Sequence, residues 1–232
     1  MFELSPEEWT AIRLSLKIAV VATLIALPLA IATAYALARA EFRGKSLVDA
    51  LVHLPLVMPP VVTGFALLLL FGRRGPIGAF LAEHFGVVFS FRWTGAALAA
   101  GVMGFPLMVG AMRLSFEAVD RRLEQAAGSL GAGRLATFAL VTLPLAAPGI
   151  IVGAILAFAK ALGEFGATIT FVSSIPGETQ TIAVSIFSLT QVPGGDAPAL
   201  RLALVSAVIA VGALVASEML QRRAALRLRG PR

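Results

Sequence analysis

The sequence has 232 residues, of which 58% are hydrophobic and only 14% charged; a soluble domain carries about a quarter charged residues, so this composition points to a chain that crosses a bilayer several times. The net charge of +6 would suit a nucleic-acid partner, but the basic residues gather at the ends of apolar runs, a pattern of membrane orientation rather than of a DNA-binding face. There is no Cys, which excludes disulfides and thiolate metal sites, and His53 and His84, expected in separate loops, offer too few ligands for a metal.

The chain opens on MFELSPEEW, which is acidic where a signal peptide is basic, and the apolar run that follows is too long for a signal core. Spanning helices need about 20 apolar residues, and five runs of that kind follow, at 18–37, 52–71, 94–114, 145–165 and 202–220. After the first run comes RAEFRGKS, whose Gly44-Lys45-Ser46 resembles the end of a phosphate-binding loop. That loop requires a Gly where Arg39 stands, so the stretch reads as a basic membrane-edge turn. The chain therefore shows no means of its own to hydrolyse ATP. The second run carries Pro55, Pro59 and Pro60, the third Pro106. Prolines leave helical carbonyls without donors, which neighbouring helices or water must satisfy.

Between the third and fourth runs lies a segment at about 116–143 that includes RRLEQAAGSLGAGRLATFALVTL. Val119, Leu123, Ala126, Ala127 and Leu130 form an apolar stripe at helical spacing. Gly131 suits a helix C-terminus, where φ is often positive. After Gly133 the stripe restarts with Leu135, Phe138 and Val141, and Leu143-Pro144 leads into the next run. The expected product is a helix–turn–helix elbow with a small, close-approach corner. Such an elbow either docks into a partner's cleft or folds back on its own helices.

The fourth run begins with Gly149-x-x-x-Gly153, a packing motif expected to serve contacts within the chain. It ends with Lys160 and Glu164, four apart on one helical face. Ionisable groups in a span are functional candidates; here a structural pair and the lining of a pathway's mouth are both open. A long connection at 167–198 follows. Within it TQTIAVSIFSLT sets Ile182, Ile186 and Leu189 on one face, which predicts a short surface or re-entrant helix at about 180–191. The connections fall into two sets, with twelve Lys and Arg on one and six on the other. The richer side is cytoplasmic, so the N-terminus is outside, and the C-terminus and the elbow are inside. The fold expected is an all-α integral membrane domain with five spans, occupying 1–232 as one unit.

The elbow resembles the cytoplasmic segment of ABC-importer permeases, EAA-x3-G-x9-I-x-LP. Gln125-Ala126-Ala127, Gly131, Val141, Leu143 and Pro144 fall at those spacings. Gln125 stands where the family has Glu, with Glu124 just before it, and Val141 stands for Ile. The stretches LPLVMPPVVTG, RLEQAAGSLGAG and ALGEFGATITFVSSIPGETQT extend the likeness over nearly the whole chain, to the permease subunits of molybdate importers. GEFG is shared with sulfate and tungstate relatives; IPGETQT is the more molybdate-like part. The resemblance implies a type I importer transmembrane domain in the inner membrane. It also implies a second copy of the chain, two ATPase subunits that use ATP and Mg, and an external molybdate-binding protein. This chain would bind no cofactor and no nucleic acid, and would not itself be an enzyme. The ATPase-coupling residues would be Glu124, Gln125, Ala126, Ala127, Gly131, Gly133, Val141, Leu143 and Pro144. Pro59, Pro60, Thr63, Lys160, Glu164, Thr168 and Thr170 would line the substrate pathway. A sulfate, thiosulfate or tungstate permease is the nearest alternative. An ion-coupled secondary transporter is a different class, but it needs more intramembrane charge than the single Lys160–Glu164 pair. No nucleophile–base–acid set supports an intramembrane enzyme.

Overall fold

A computed structural model describes residues 4–228, with side chains placed through residue 220. Among the described residues every regular element is a helix. The first, α1 (Pro6–Arg39), starts twelve residues before the apolar run. A capping box explains the early start. Ser5 Oγ accepts from the Glu8 N–H, and the Glu8 carboxylate accepts from the Ser5 N–H at 2.6 Å, satisfying donors that a helix start leaves free. Glu8 is buried and also receives Arg201 at 3.1 Å. The acidic opening of the chain is thus an anchor for the last helix, α11 (Asp196–Leu228).

The second apolar run is not one straight span. It is divided into α2 (Lys45–Val57) and α3 (Pro60–Phe71), bent by 114°. Pro59 and Pro60 have no N–H to continue the ladder, and Met58 takes the extended conformation (φ −73°, ψ 144°) favoured before proline. By contrast Pro28, Pro106 and Pro148 sit inside continuous helices. Among the described residues four helices are long and apolar enough to cross a membrane, or five spans if the bent pair counts as one. His53 lies on α2, and His84 lies on α4 (Pro76–Phe85), stacked on Phe80; neither is in a loop. The Gly44-Lys45-Ser46 stretch starts α2, and Lys45 is taken up by Glu41 at 3.0 Å. No residue of α2 is buried. An ion pair holds it to α5 (Trp93–Ala118), with Asp49 2.8 Å from Arg113.

The bundle is built on α1, α5 and α8 (Leu143–Leu162). Small side chains let their backbones approach, the usual means of helix association in lipid. Ala19, Ala96 and Ala99 are fully buried. A Cβ placed on Gly149 would lie 2.2 Å from Ser115 Cβ, and one on Gly153 would lie 2.8 Å from the Met108 carbonyl. The Gly149-x-x-x-Gly153 motif therefore packs α8 on α5 within the chain. Two short helices complete the other end. The start of the long connection is α9 (Gly166–Val172), which periodicity does not reveal. The stripe Ile182, Ile186 and Leu189 belongs to α10 (Ile182–Leu189), which faces Ile12 of α1 and Leu202 of α11. Ser15 Oγ accepts from the Ile182 N–H at 2.7 Å and fixes α10 to α1.

The basic asymmetry predicts that a reporter fused after Arg223 is cytoplasmic and that a tag at the N-terminus is external. Protease protection of both ends in sealed cells checks this, and two external ends would mean a miscounted span. Five of the twelve basic residues behind the assignment (Arg222, Arg223, Arg227, Arg229 and Arg232) lie outside the residues whose side chains are described.

Candidate functional site

The elbow begins with α6 (Arg121–Ser129), capped by Asp120, whose side chain accepts from the Arg122 N–H at 2.9 Å. It ends in a Schellman turn. The Ala132 N–H reaches the Ala127 carbonyl, and the Gly131 N–H reaches the Gly128 carbonyl, both at 3.0 Å. Gly131 has φ +88°, yet a Cβ added there would meet nothing within 4 Å. The expected close-approach corner is therefore open, and the backbone angle alone calls for glycine. Gly133 precedes α7 (Arg134–Thr137), which passes into a π-helical segment, Phe138–Thr142, and then α8. The wide turn falls just before Pro144, whose ring would press on a carbonyl one α-turn back. Val141 and Leu143 are half-buried in this passage, and Pro144 is exposed.

Two faces of the elbow differ. Outward stand Gln125, Ala126 and a group of bare leucines: Leu130 is 89% exposed and Leu135 85%. Inward stands Glu124. Its Oε1 accepts from Thr142 Oγ1 at 2.7 Å and from Arg39 Nη2 at 3.1 Å. The same Arg39 nitrogen donates to the Val119 carbonyl at 2.9 Å. Thr142 is wholly buried. Beside it Tyr35 lies edge-on to Phe116 and Phe138, at 5.5 and 4.8 Å. One carboxylate thus ties α6 to the end of α1 and to the π-helical entry to α8, and Arg39 in turn holds the carbonyl just after α5. Arg39 and Thr142 are site residues that sequence reasoning does not find. Arg39 is 85 positions from Glu124, and a basic residue at a span's end already has an explanation in orientation.

At the opposite end, α8 stops at Leu162, so Glu164 lies in the turn to α9 rather than on the span. It still meets Lys160 in an ion pair, and it accepts from the Ala167 N–H at 3.0 Å. Glu164 is 2% exposed, while a third of the Lys160 side chain reaches the surface. The α9 helix packs tightly on α3. A Cβ on Gly64 would sit 2.5 Å from the Ala167 carbonyl, and one on Gly166 2.8 Å from Pro60 Cβ. The break at Pro59 and Pro60 is what brings α3, with Thr63, against the turn that holds Glu164. Thr63 is buried, and its hydroxyl has no partner among the described residues. Thr168 is buried, and Thr170 donates to the Gly166 carbonyl at 2.8 Å. Pro59 is exposed and caps α3. Glu178, from the IPGETQT turn, accepts from the Trp93 N–H at 3.2 Å and so caps α5.

Residues 26–226 match the family described as binding-protein-dependent transport system inner membrane component. The chain belongs to this family. It is a multi-pass inner-membrane permease. The Escherichia coli (strain K12) molybdenum transport system permease protein ModB is 56% identical to this permease, over 94% of this chain and 96% of its own. The Haemophilus influenzae protein of the same name is 51% identical, over 93% and 94%. Among solved structures, a bacterial ABC transporter involved in the import of alginate superposes with a TM-score of 0.69 at 19% identity, covering 94% of this chain and 80% of that one. An amino acid ABC transporter gives 0.63 at 20% identity, covering 94% of both. At such identities the structures speak for the fold, which is that of type I ABC importer transmembrane domains, in agreement with the resemblance read from sequence.

Proposed function

We propose that this permease carries molybdate into the cytoplasm as the membrane subunit of an ATP-driven importer. Two copies of the chain would form the pathway. An external binding protein would deliver the anion, and two separate ATPase subunits would hold ATP and Mg. The permease itself would catalyse no reaction and bind no cofactor. The names of its curated relatives support molybdate over sulfate as cargo. The observation that carries the coupling role is the two-sided elbow. Its outer face offers leucines to a partner, while Glu124 on its inner face is bonded to Arg39 of α1 and to Thr142 at the entry to α8, and Arg39 in turn holds the Val119 carbonyl after α5. A push on the leucines is then transmitted to α1, α5 and α8 together. ATP binding would favour the state in which the two ATPases close, and the elbow would shift the permease between inward- and outward-open forms.

The test is uptake by the co-purified complex in vesicles, using labelled molybdate, tungstate and sulfate, with Gly131→Asp as control. Asp tolerates positive φ better than most residues, and the corner is open, so the variant should reach the membrane in normal amounts. It places a charge beside Leu130 at the docking face, so ATPase binding and stimulated hydrolysis should fall together. Full uptake by Gly131→Asp would remove the elbow's outer face from the mechanism. Uptake of sulfate in preference to molybdate would change the cargo and leave the rest.

A further inference from the structure

Between α1, α2 and α5 runs a groove of about 670 Å³. Its walls are apolar; of the lining side chains only Thr94 has a hydroxyl and only Trp93 an N–H. On α1 the lining residues Val21, Ile25 and Leu29 follow at four-residue steps, and Lys17 stands one step before them. On α5 Trp93, Gly101 and Phe105 lie on one stripe at the same spacing. The two helices run side by side in the same direction. Lys17, a third of the way along α1, meets Trp93 at the start of α5, and Arg39 meets Val119 at their ends. The Lys17 ammonium lies over the Trp93 ring, 3.5 Å from its centroid. Lys17 is exposed and takes part in none of the ion pairs among the described residues.

We propose that this groove binds one acyl chain of a phospholipid whose phosphate is held by Lys17 at the Trp93 end. Length and charge agree. Lys17 to Leu29 covers about 18 Å at 1.5 Å per residue, close to the roughly 15 Å of one leaflet's hydrocarbon. Apart from Trp93 and Thr94 the lining offers no polar partner along this length, which suits an acyl chain. Trp and Lys together are the pair that membranes hold at headgroup level. Lys17 presents three N–H donors, and the indole face occupies one side of the ammonium only. The bound chain also explains how α2, which buries no residue of its own, can stand off the bundle. The lipid fills the space that α2 leaves, and Asp49–Arg113 closes it below. This site goes beyond the transport reading and does not depend on which anion is carried.

The test uses the complex purified in detergent and washed, with phospholipid counted per permease by phosphate analysis and native mass spectrometry. Two variants report on the two ends. Lys17→Gln keeps the stem and removes the charge, and should retain about fivefold less phospholipid. Gly101→Leu projects into the groove; its Cβ would have the Ala22 carbonyl as nearest atom at 3.7 Å, an ordinary contact. It should exclude the chain. Added dipalmitoyl phosphatidylglycerol should raise the melting temperature of the delipidated parent complex and not that of Gly101→Leu. Equal retention in all three proteins, or none in the parent, overturns the proposal. So does a Gly101→Leu complex that loses its second permease copy with its phospholipid unchanged, an outcome that gives the groove to the partner copy.

Discussion

Glu124→Ala is expected to cut uptake per ATP hydrolysed by at least about tenfold while the ATPase stays bound and active. The carboxylate holds two side chains at once, Thr142 and Arg39. Without it, Thr142 Oγ1 becomes a fully buried hydroxyl with no acceptor, which costs about 1–3 kcal/mol. Arg39 loses its only ion-pair partner among the described residues and keeps the Val119 carbonyl. Breaking a buried ion pair costs about 3–5 kcal/mol, and the lower end applies because both side chains keep some contact with solvent. A loss of about 1.4 kcal/mol already changes an equilibrium tenfold. The outer face, with Leu130 and Leu135, is untouched, so docking should survive. The elbow would then move with the ATPase without carrying α1, α5 and α8 along. Glu124→Gln keeps an acceptor for Thr142 and loses the charge, and should fall between the parent and Glu124→Ala. Uptake and hydrolysis measured in the same vesicles decide the matter. A Glu124→Ala complex with unchanged uptake per ATP would show that the inner bonds transmit nothing. One that loses its ATPase would return Glu124 to the docking face.

That division of the elbow marks how far sequence reading reaches. The elbow's two halves, the hinge between them and the positive φ at Gly131 are all legible, because each depends on residues within a few positions. The inward turn of Glu124 is not, since Arg39 and Thr142 lie 85 and 18 positions away. The spans show the same contrast. Hydropathy locates the apolar runs, but it cannot see a bend, and the pair Pro59-Pro60 breaks the second run where Pro28, Pro106 and Pro148 do not break theirs. Hydropathy also misplaces the start of α1, because its opening turns are held by Ser5, Glu8 and Arg201 rather than by apolar residues. The short α9 escapes notice because seven residues give too little periodicity to register. Pro60, Thr63, Glu164 and Thr168, expected from the sequence to line the pathway, share a neighbourhood through the contacts of Gly64 with Ala167 and of Gly166 with Pro60. Nothing in either segment alone forecasts that meeting.

Lys160→Ala should impair uptake more than the double variant Lys160→Ala with Glu164→Gln. Glu164 is buried, and its two oxygens have separate duties, one toward Lys160 and one toward the Ala167 N–H. The single change leaves a buried carboxylate with one neutral hydrogen bond, at a cost of about 3–5 kcal/mol. It also exposes the passage to an unpaired negative charge. At about 6 Å and an effective dielectric near 20, such a charge repels a dianion by roughly 5 kcal/mol, far more than a route that must neither reject nor trap its cargo can bear. The double change removes both penalties. In Glu164→Gln the amide oxygen can still accept from the Ala167 N–H, so the start of α9 keeps its cap. Lys160→Ala with Glu164→Ala removes the cap as well, a further loss of about 1 kcal/mol, and should lie between the other two. The order of initial uptake rates at matched membrane levels is therefore the measurement. The parent should be fastest, followed by Lys160→Ala with Glu164→Gln, then Lys160→Ala with Glu164→Ala, with Lys160→Ala alone the slowest. If both double variants are as impaired as the single, the negative charge of Glu164 is needed for itself, and its pairing with Lys160 is not what the outer turn is built to provide.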